Sequence, residues 1–361
     1  MDDLFVEAER QLNICNSCRY CEGYCPVWPT LETMTELSED GLKHLSSLCH
    51  DCRDCFSACM YTAPHEFALN PPALFSAVRQ ETYREYTWPP RPGWARGTRG
   101  IAALTVAVIV VVLALAALLH SDTSSSGSLN GASPYRLIPH WVLVGIVSAP
   151  VVWGVLVAAL GACRYWRDVH GSLRELARPT TWLAALADGV RLRYMRGGGM
   201  ECTYPTEEPS GRRRAYHAWL VGGLFLCLWS TIAAGVEEEF AGWQPPYPFL
   251  SVPPLLGTAG GLAMIAGSVG LLLEKRASAA ALSAPAMRRA DYLLLSSLLV
   301  LAVTGLLTLA LRTTPLFLGI LVVHLVAVIT CFAVAPYTKF MHFVYRMLSI
   351  YKYRLDSAGT S

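Results

Sequence analysis

Charged residues are scarce in this sequence. They make up 16% of its 361 residues, whereas about a quarter is usual in soluble domains. Hydrophobic residues account for 53%. This balance excludes an ordinary soluble protein and indicates membrane-embedded segments. The net charge of +2 carries no information by itself, and we expect no nucleic-acid partner.

Several functional signals are also missing. The start, Met1-Asp2-Asp3, is acidic and polar and lacks the pattern of a cleavable signal peptide, so we expect this part of the chain to stay in the reducing cytoplasm. No nucleophile–base pair, carboxylate dyad or nucleotide loop occurs. Gly197–Gly199 follows no strand and is not part of a G-x-G-x-x-G motif, so we interpret it as a flexible turn. We expect no substrate dehydrogenation on this chain. Whether it is a quinone-reducing subunit stays open.

Cysteine is abundant by contrast: eight of the twelve cysteines form two runs with the spacing C-x2-C-x2-C-x3-C. In bacterial ferredoxins three cysteines of such a run hold one [4Fe–4S] cluster, and the fourth binds the other cluster. The sequence therefore predicts two clusters. One is assigned to Cys15, Cys18, Cys21 and Cys59, and the other to Cys49, Cys52, Cys55 and Cys25.

Two other interpretations of the cysteines are weaker. Zinc requires C-x2-C pairs separated by a finger-length loop. Disulfides form in oxidising compartments, but two identical runs are not a typical disulfide framework. The second run departs from the ferredoxin pattern because Met60 follows its last cysteine, where the first run has Pro26. We interpret the other four cysteines as bystander thiols: Cys163, Cys202, Cys227 and Cys331.

Apolar stretches near the ~20 residues that cross a bilayer follow the cysteine-rich head. We place six spans at 101–119, 140–160, 216–234, 253–273, 290–311 and 316–340. The predicted fold is all-α, with a small ferredoxin-like helical di-cluster head followed by a six-helix transmembrane bundle. The predicted domains are the head at 1–95, two transmembrane helices at 96–160, a basic insert at 161–215, and four transmembrane helices with a tail at 216–361.

Within the head we expect helices at Asp3–Asn13, Leu31–Leu48 and Ala73–Tyr86. In the insert, Leu173–Tyr194 fits one amphipathic helix at the membrane surface.

Basic residues are concentrated on one side of the predicted spans. The insert carries ten arginines, and the next loop on that side has Lys275, Arg276, Arg288 and Arg289. The opposite side has Glu237–Glu239 and a Ser/Gly-rich loop at 121–133. Cytoplasmic loops are enriched in Lys and Arg, so we expect the head, the insert and both termini on the cytoplasmic side.

Histidines in or beside the spans are functional candidates. His324 and His342 are eighteen residues apart, which is five helical turns and about 27 Å. We expect both rings on one face of a single helix, each supplying an axial ligand to a b-type haem. His217 opens the third span and matches His342 in depth, so these two form the predicted inner haem pair. The alternatives are an interfacial His217 beside Arg212–Arg214 and an anchoring role for His342 beside Lys339.

A second haem is possible at His324. Its partner would be His140 or His120, and neither is well placed. The alternative is a buried His324 bonded to a neighbouring helix. We expect His44 to lie on a solvated helix face.

Several motifs outside the cysteine runs resemble tricarballylate-utilisation protein B, also called the citrate-utilisation B type, over nearly the whole chain. They are Arg19–Gly23, Pro64–Phe67, Leu192–Tyr194 with Gly197–Gly199 and Cys202–Pro205, Tyr247-Pro248, Leu256–Gly261, and Pro336–His342 with Tyr345-Arg346. Family members often carry paired histidines at the start of the third span, where this chain has Tyr216-His217. The outer end of that span, Gly235–Glu238, lacks histidine. These departures weaken the case for a second haem, not for the first.

The resemblance implies an iron–sulfur and haem protein of the bacterial inner membrane. It would reoxidise a separate FAD-dependent dehydrogenase, which converts tricarballylate to cis-aconitate, and pass electrons to quinone. An alternative is a related subunit for another donor, in the manner of nitrate reductase gamma or heterodisulfide reductase membrane proteins. Two rivals of a different class are a membrane redox sensor and a transporter with a regulatory head. The transporter would need charged residues mid-span on several helices, and these are absent.

Overall fold

The computed structural model describes residues 2–90, 98–119, 135 and 138–359. Helices make up 75% of the structure, and these ranges contain no strand. The all-α class is therefore confirmed. The head contains α1 (Asp2–Cys18), α2 (Val27–Glu32), α3 (Glu39–Leu48), α4 (Asp54–Ser57) and α5 (Pro71–Tyr86).

The head helices differ in length from the predicted ones. α1 extends to Cys18 and so carries the first two cysteines. The single helix expected at Leu31–Leu48 is wrong, because Ser38 caps a new helix by accepting a hydrogen bond from the Gly41 amide at 3.0 Å. α5 begins two residues earlier than expected, after Asn70, whose side chain caps it.

The long helices are α6 (Thr98–Leu119), α7 (His140–Asp168), α10 (Arg212–Ala241), α11 (Val252–Ala277), α12 (Pro285–Ala310) and α13 (Phe317–Val334). Within the described ranges, five segments are long and apolar enough to cross a membrane: α7, α10, α11, α12 and Phe317–Tyr337. In α6 the apolar stretch is the shorter Gly100–Leu115. Large apolar side chains on these helices are exposed, as at Leu156, Phe225 and Val300, which is compatible with contact to lipid. The count of six spans stays a prediction.

The sixth predicted span is not one helix. α13 ends at Val334, short 3-10 turns cover Ala335–Tyr337 and Lys339–Met341, and α14 (His342–Gly359) begins at His342. Pro336 has no amide hydrogen and cannot continue the α-helical ladder. The expectation that His324 and His342 share one face of a single helix is therefore wrong.

The insert is also broken. The expected helix Leu173–Tyr194 is replaced by α8 (Leu173–Leu176), α9 (Pro179–Val190) and a 3-10 turn at Arg193–Met195. Pro179 opens α9 and keeps the residue before it extended. The insert packs on α14, where the Trp182 and Tyr351 rings stack with centroids 4.2 Å apart.

One core joins the head to the membrane helices. Tyr86 of α5, Tyr165 of α7 and Tyr345 of α14 are all buried in it. The Tyr86 hydroxyl donates to Asp168 at 2.7 Å. His44 is buried rather than solvated, with Nδ1 2.8 Å from the Tyr165 hydroxyl. The head is thus fixed to the C-terminal end of α7 and to the first turns of α14.

Candidate functional site

Two cavities in the head are lined by cysteines. The lining of the first includes Cys15, Cys18, Cys21, Cys55 and Cys59. The lining of the second includes Cys25, Cys49, Cys52 and Cys55. Cys59 thus lies with the first run and Cys25 with the second. Each cavity is lined by the four cysteines that the ferredoxin spacing assigns to one cluster, and Cys55 borders both cavities, so the division into two ligand sets stays a prediction.

The chemistry of these thiols fits an iron–sulfur cluster. Burial raises the pKa of the Cys15 and Cys21 thiols to about 12, and the neighbouring Cys59 adds to both shifts. Such thiols become thiolates when a metal binds them. Among the described residues no three Cys, His, Asp or Glu side chains converge on a point that would hold a single ion. Cysteine sulfurs grouped around a cavity are compatible with thiolate ligation of an iron–sulfur cluster.

The two cavities differ in exposure. Beside the first, Cys18 is exposed, and so are the side chains of Tyr20 and Met60, at 62% and 69%. Beside the second, Cys52 and Arg53 are buried. The first cavity therefore lies near the surface, and the second lies deeper, towards the membrane helices.

The insert covers the second cysteine run. Gly197 has a φ of +55°, and a Cβ there would overlap the Asp54 carboxylate. The Thr203 amide donates to the same carboxylate at 2.9 Å. The Tyr204 ring lies between the guanidinium groups of Arg53 and Arg213, at 4.4 and 4.5 Å. Gly197 thus lets the insert approach the Asp54 carboxylate closely. The interpretation of the glycine run as a flexible turn did not include this contact.

Three arginines from three helices hold the backbone of the second run. Arg79 of α5 donates to the carbonyls of Ser46 and Cys49 at 2.8 and 3.1 Å. Arg346 of α14 donates to the Cys49 carbonyl at 2.7 Å. Arg213 of α10 donates to the His50 carbonyl at 3.1 Å and also to that of Asp51. We refer to Arg79, Arg213 and Arg346 as the arginine triplet.

The inner histidine pair is assembled in space. The rings of His217 on α10 and His342 on α14 have centroids 6.5 Å apart and planes at 84°. His342 Nδ1 lies 2.6 Å from the Lys339 carbonyl, which makes this nitrogen the donor and leaves Nε2 free to bind metal. His217 Nδ1 is buried with no hydrogen-bond partner among the described residues. Two available imidazoles fit a haem, because the porphyrin supplies the other four nitrogens and only axial ligands are needed.

Two members of the arginine triplet, Arg213 and Arg346, join this pair to the second cysteine run. Arg213 lies one helical turn before His217, and Arg346 lies one turn after His342. Both arginines bind carbonyls between Cys49 and Asp51. The helices that present the histidines are therefore fixed to the backbone of the second cavity.

Two family models cover the chain. Citrate utilization protein B matches residues 95–361, and the Citrate utilization protein B Fer4-like domain matches residues 8–85. The chain belongs to the citrate utilization protein B family. It is 32% identical to Citrate utilization protein B of Escherichia coli over 352 residues, which are 97% of this chain and 92% of that protein. No solved structure matches. The resemblance drawn from the sequence motifs is confirmed, and the Fer4-like domain suggests an iron–sulfur electron-transfer role.

In this member of the citrate utilization protein B family, the histidines considered for a second haem contact residues other than one another. His324 Nδ1 lies 3.0 Å from the Thr304 hydroxyl on α12. His140 Nδ1 lies 3.1 Å from a carboxylate oxygen of Glu238. His120 is outside the described residues. The structure does not bring His324 and His140 together, and a second haem there stays a prediction.

Sequence reasoning missed several residues around the inner site. The sequence did not reveal the arginine triplet. Arg213 belongs to the basic run Arg212–Arg214, and the expected membrane orientation already accounts for the charge of that run. Asp291 of α12 is buried and pairs with two lysines, Lys275 at 2.6 Å and Lys339. A charged residue at the inner end of an apolar helix was the available signal for Asp291. Its partners could not be identified without the fold.

Proposed function

We propose that this protein is an electron-transfer membrane protein that reoxidises a partner flavoprotein dehydrogenase of the tricarballylate dehydrogenase type. Electrons would pass through two [4Fe–4S] clusters and b-type haem to quinone. The observation that supports this most is the arrangement in series of a surface cavity, a deeper cavity and a histidine pair. Arg213 and Arg346 connect the last two of these sites.

The residues present account for the parts of such a route. Cys55 borders both cavities, so the two cysteine sites are adjacent. Tyr204, which is buried, and Thr203, which donates to Asp54, cover the deeper run. His217 and His342 would hold the haem through their imidazole nitrogens. Iron–sulfur clusters and haem carry single electrons, which suits transfer between a two-electron flavin and quinone, while the protein sets spacing and insulation.

We propose the bacterial inner membrane as the location, with the head and both termini in the cytoplasm. The helix ends beside the head carry Arg213, Lys275 and Arg288, and the far end of α10 carries Glu237–Glu239. Basic residues mark the cytoplasmic side of membrane proteins. The side that carries the cysteines is the basic side.

The test is an optical spectrum of the purified full-length protein before and after dithionite, with assays of iron and acid-labile sulfide. We expect reduced b-type haem bands in the wild type and their loss in His217→Ala and in His342→Ala. His170 is exposed, so His170→Ala should keep the bands. Wild-type protein with iron and sulfide but no haem would remove the haem from the proposal. Protein without iron would overturn it entirely.

A redox sensor is the second candidate, because Cys18 at the first cavity is exposed and accessible to oxidants. The two functions differ in turnover. An electron carrier reoxidises a reduced flavoprotein when a quinone analogue is supplied, whereas a sensor shows no such turnover. Anaerobic stopped-flow measurement of flavin reoxidation separates them.

A further inference from the structure

The charges around the two cysteine cavities differ. The lining of the first includes one cation, Arg19, and two carboxylates, Glu22 and Glu32. Arg19 is exposed and lies 3.8 Å from Glu32, so its charge is largely screened. On balance the first site has no excess of positive charge.

The second cavity is surrounded by guanidinium groups. The arginine triplet donates hydrogen bonds to its backbone, and Arg53 lies buried in its wall. Two carboxylates oppose them: Asp51 lies 3.4 Å from Arg53, and Asp54 accepts hydrogen bonds from Thr203. Cations still outnumber carboxylates, and their charges act in a poorly solvated region where screening is weak.

This difference matters because reduction adds one negative charge to a cluster that already carries four thiolates. Burial alone makes that charge costly and lowers the reduction potential. The deeper second cluster would then be the harder one to reduce, and transfer from the surface cluster would be unfavourable. Nearby cations reverse this order by stabilising the reduced state.

We infer that the arginine triplet raises the reduction potential of the second cluster above that of the first and so directs electrons inward. One electron leaves the first cluster, which is oxidised, and reduces the second. The partner flavoprotein supplies the next electron. The three arginines are positioning residues that act through their charge. The inference rests on the proposed function, since it requires both clusters.

Arg79 allows a clean test, because it lies on α5, away from the histidine pair, and is 3% exposed. The experiment is an anaerobic potentiometric titration of the full-length protein, followed by EPR of the reduced clusters. In Arg79→Gln we expect one of the two cluster signals to shift to lower potential. The shift should be about a tenfold change in the reduction equilibrium, which is 59 mV for one electron. Arg79→Lys keeps the positive charge, so the potential of this cluster should stay close to the wild-type value.

Two further variants complete the design. Arg84 lies on the same helix, is exposed and pairs with Glu81 at 2.9 Å, so Arg84→Gln should leave both potentials unchanged. Asp51→Asn removes a negative charge beside Arg53 and Arg213, so it should raise the potential of the same cluster that Arg79→Gln lowers. This variant decides the question if Arg79→Gln fails to fold.

The outcomes separate the inference from the proposed function. Absence of iron and sulfide in the wild type refutes the proposed function. Intact clusters whose potentials do not respond to these charges refute the inference alone. Equal shifts in Arg79→Gln and Arg79→Lys would also refute it, because they would show an effect of geometry rather than charge.

Discussion

Cys25 and Cys59 show how a single side chain can belong to one run in sequence and to the other run in space. Cys25 lines the second cavity with Cys49, and Cys59 lines the first with Cys15. The ferredoxin pattern predicts this exchange, because in bacterial ferredoxins the fourth cysteine, four positions beyond the third, binds the other cluster. The cavity linings are consistent with this exchange, and the ligand sets stay a prediction.

This arrangement predicts paired losses among cysteine variants. Cys59→Ser should abolish the same EPR signal as Cys15→Ser, and Cys25→Ser the same signal as Cys49→Ser. The reason is that each pair lines one cavity. Cys163 is exposed and lines neither cavity, so Cys163→Ser serves as the control. Signal loss that follows the sequence runs instead would contradict the assignment.

His44 gives a pH-dependent prediction. Burial lowers its pKa to about 3, and Lys352 contributes to the shift. The unfolded chain therefore binds a proton below the usual His pKa of about 6.5, whereas the folded chain stays neutral there. The stability that neutral His44 provides is fully present above pH 6.5 and is lost as the pH falls towards 3. At pH 5 the loss is about 2 kcal/mol.

Thermal unfolding of the detergent-solubilised protein between pH 7.5 and pH 5 measures this effect. His44→Asn should be less stable at pH 7.5 but should lose less stability on acidification than the wild type. His170→Asn changes an exposed ring and should follow the wild type. If the acid sensitivity of His44→Asn is unchanged, the effect belongs to other groups.

Among the helices, α10 and α11 approach each other through glycines. A Cβ at Gly223 would lie 2.6 Å from the Gly260 carbonyl, and one at Gly267 would lie 2.5 Å from the Leu220 amide. Small residues let membrane helices pack backbone to backbone. This explains why the fourth predicted span is rich in glycine.

Adjacent glycines on α10 allow a matched test of that contact. Gly223→Leu should force the two helices apart and cost about 1–3 kcal/mol or more, because overpacking a tight contact is destabilising. Gly222→Leu should be tolerated, since a Cβ there has nothing within 4 Å. Fluorescence-detected size-exclusion chromatography after heating compares them. Equal melting temperatures for the two variants would show that this contact is unimportant for stability.

The sequence predicted which segments are helical better than it predicted where those helices are interrupted. Hydropathy placed α7, α10, α11, α12 and α13 because apolar content alone marks them. It did not predict the break after Val334, since hydropathy does not record the missing amide hydrogen of Pro336. The inner histidine pair was nevertheless predicted, because its argument rested on depth in the membrane. The arginine triplet was not, since its hydrogen bonds join residues as far apart in sequence as 299 positions.

Over the whole molecule, contacts between the head and the tail limit the topology. Tyr83 of α5 and Tyr345 of α14 have ring centroids 5.2 Å apart, so both segments lie on one side of the membrane. In a membrane-spanning arrangement, the chain between them would cross the bilayer an even number of times. The described ranges contain five qualifying segments, and the predicted count of six adds α6. We therefore keep six crossings as a prediction.

The same parity leads to a prediction about orientation. Epitope tags in the full-length chain, one after Ser361 and one between Gly242 and Trp243, should report opposite sides. The first follows α14, which packs on the head, and the second follows the acidic end of α10. In spheroplasts, added protease should remove only the tag at Gly242, and in inverted vesicles only the tag at Ser361. Both tags removed from one side would refute the parity. Reversed accessibility would place the head outside the reducing compartment, where clusters held by exposed cysteines such as Cys18 would be open to oxidation.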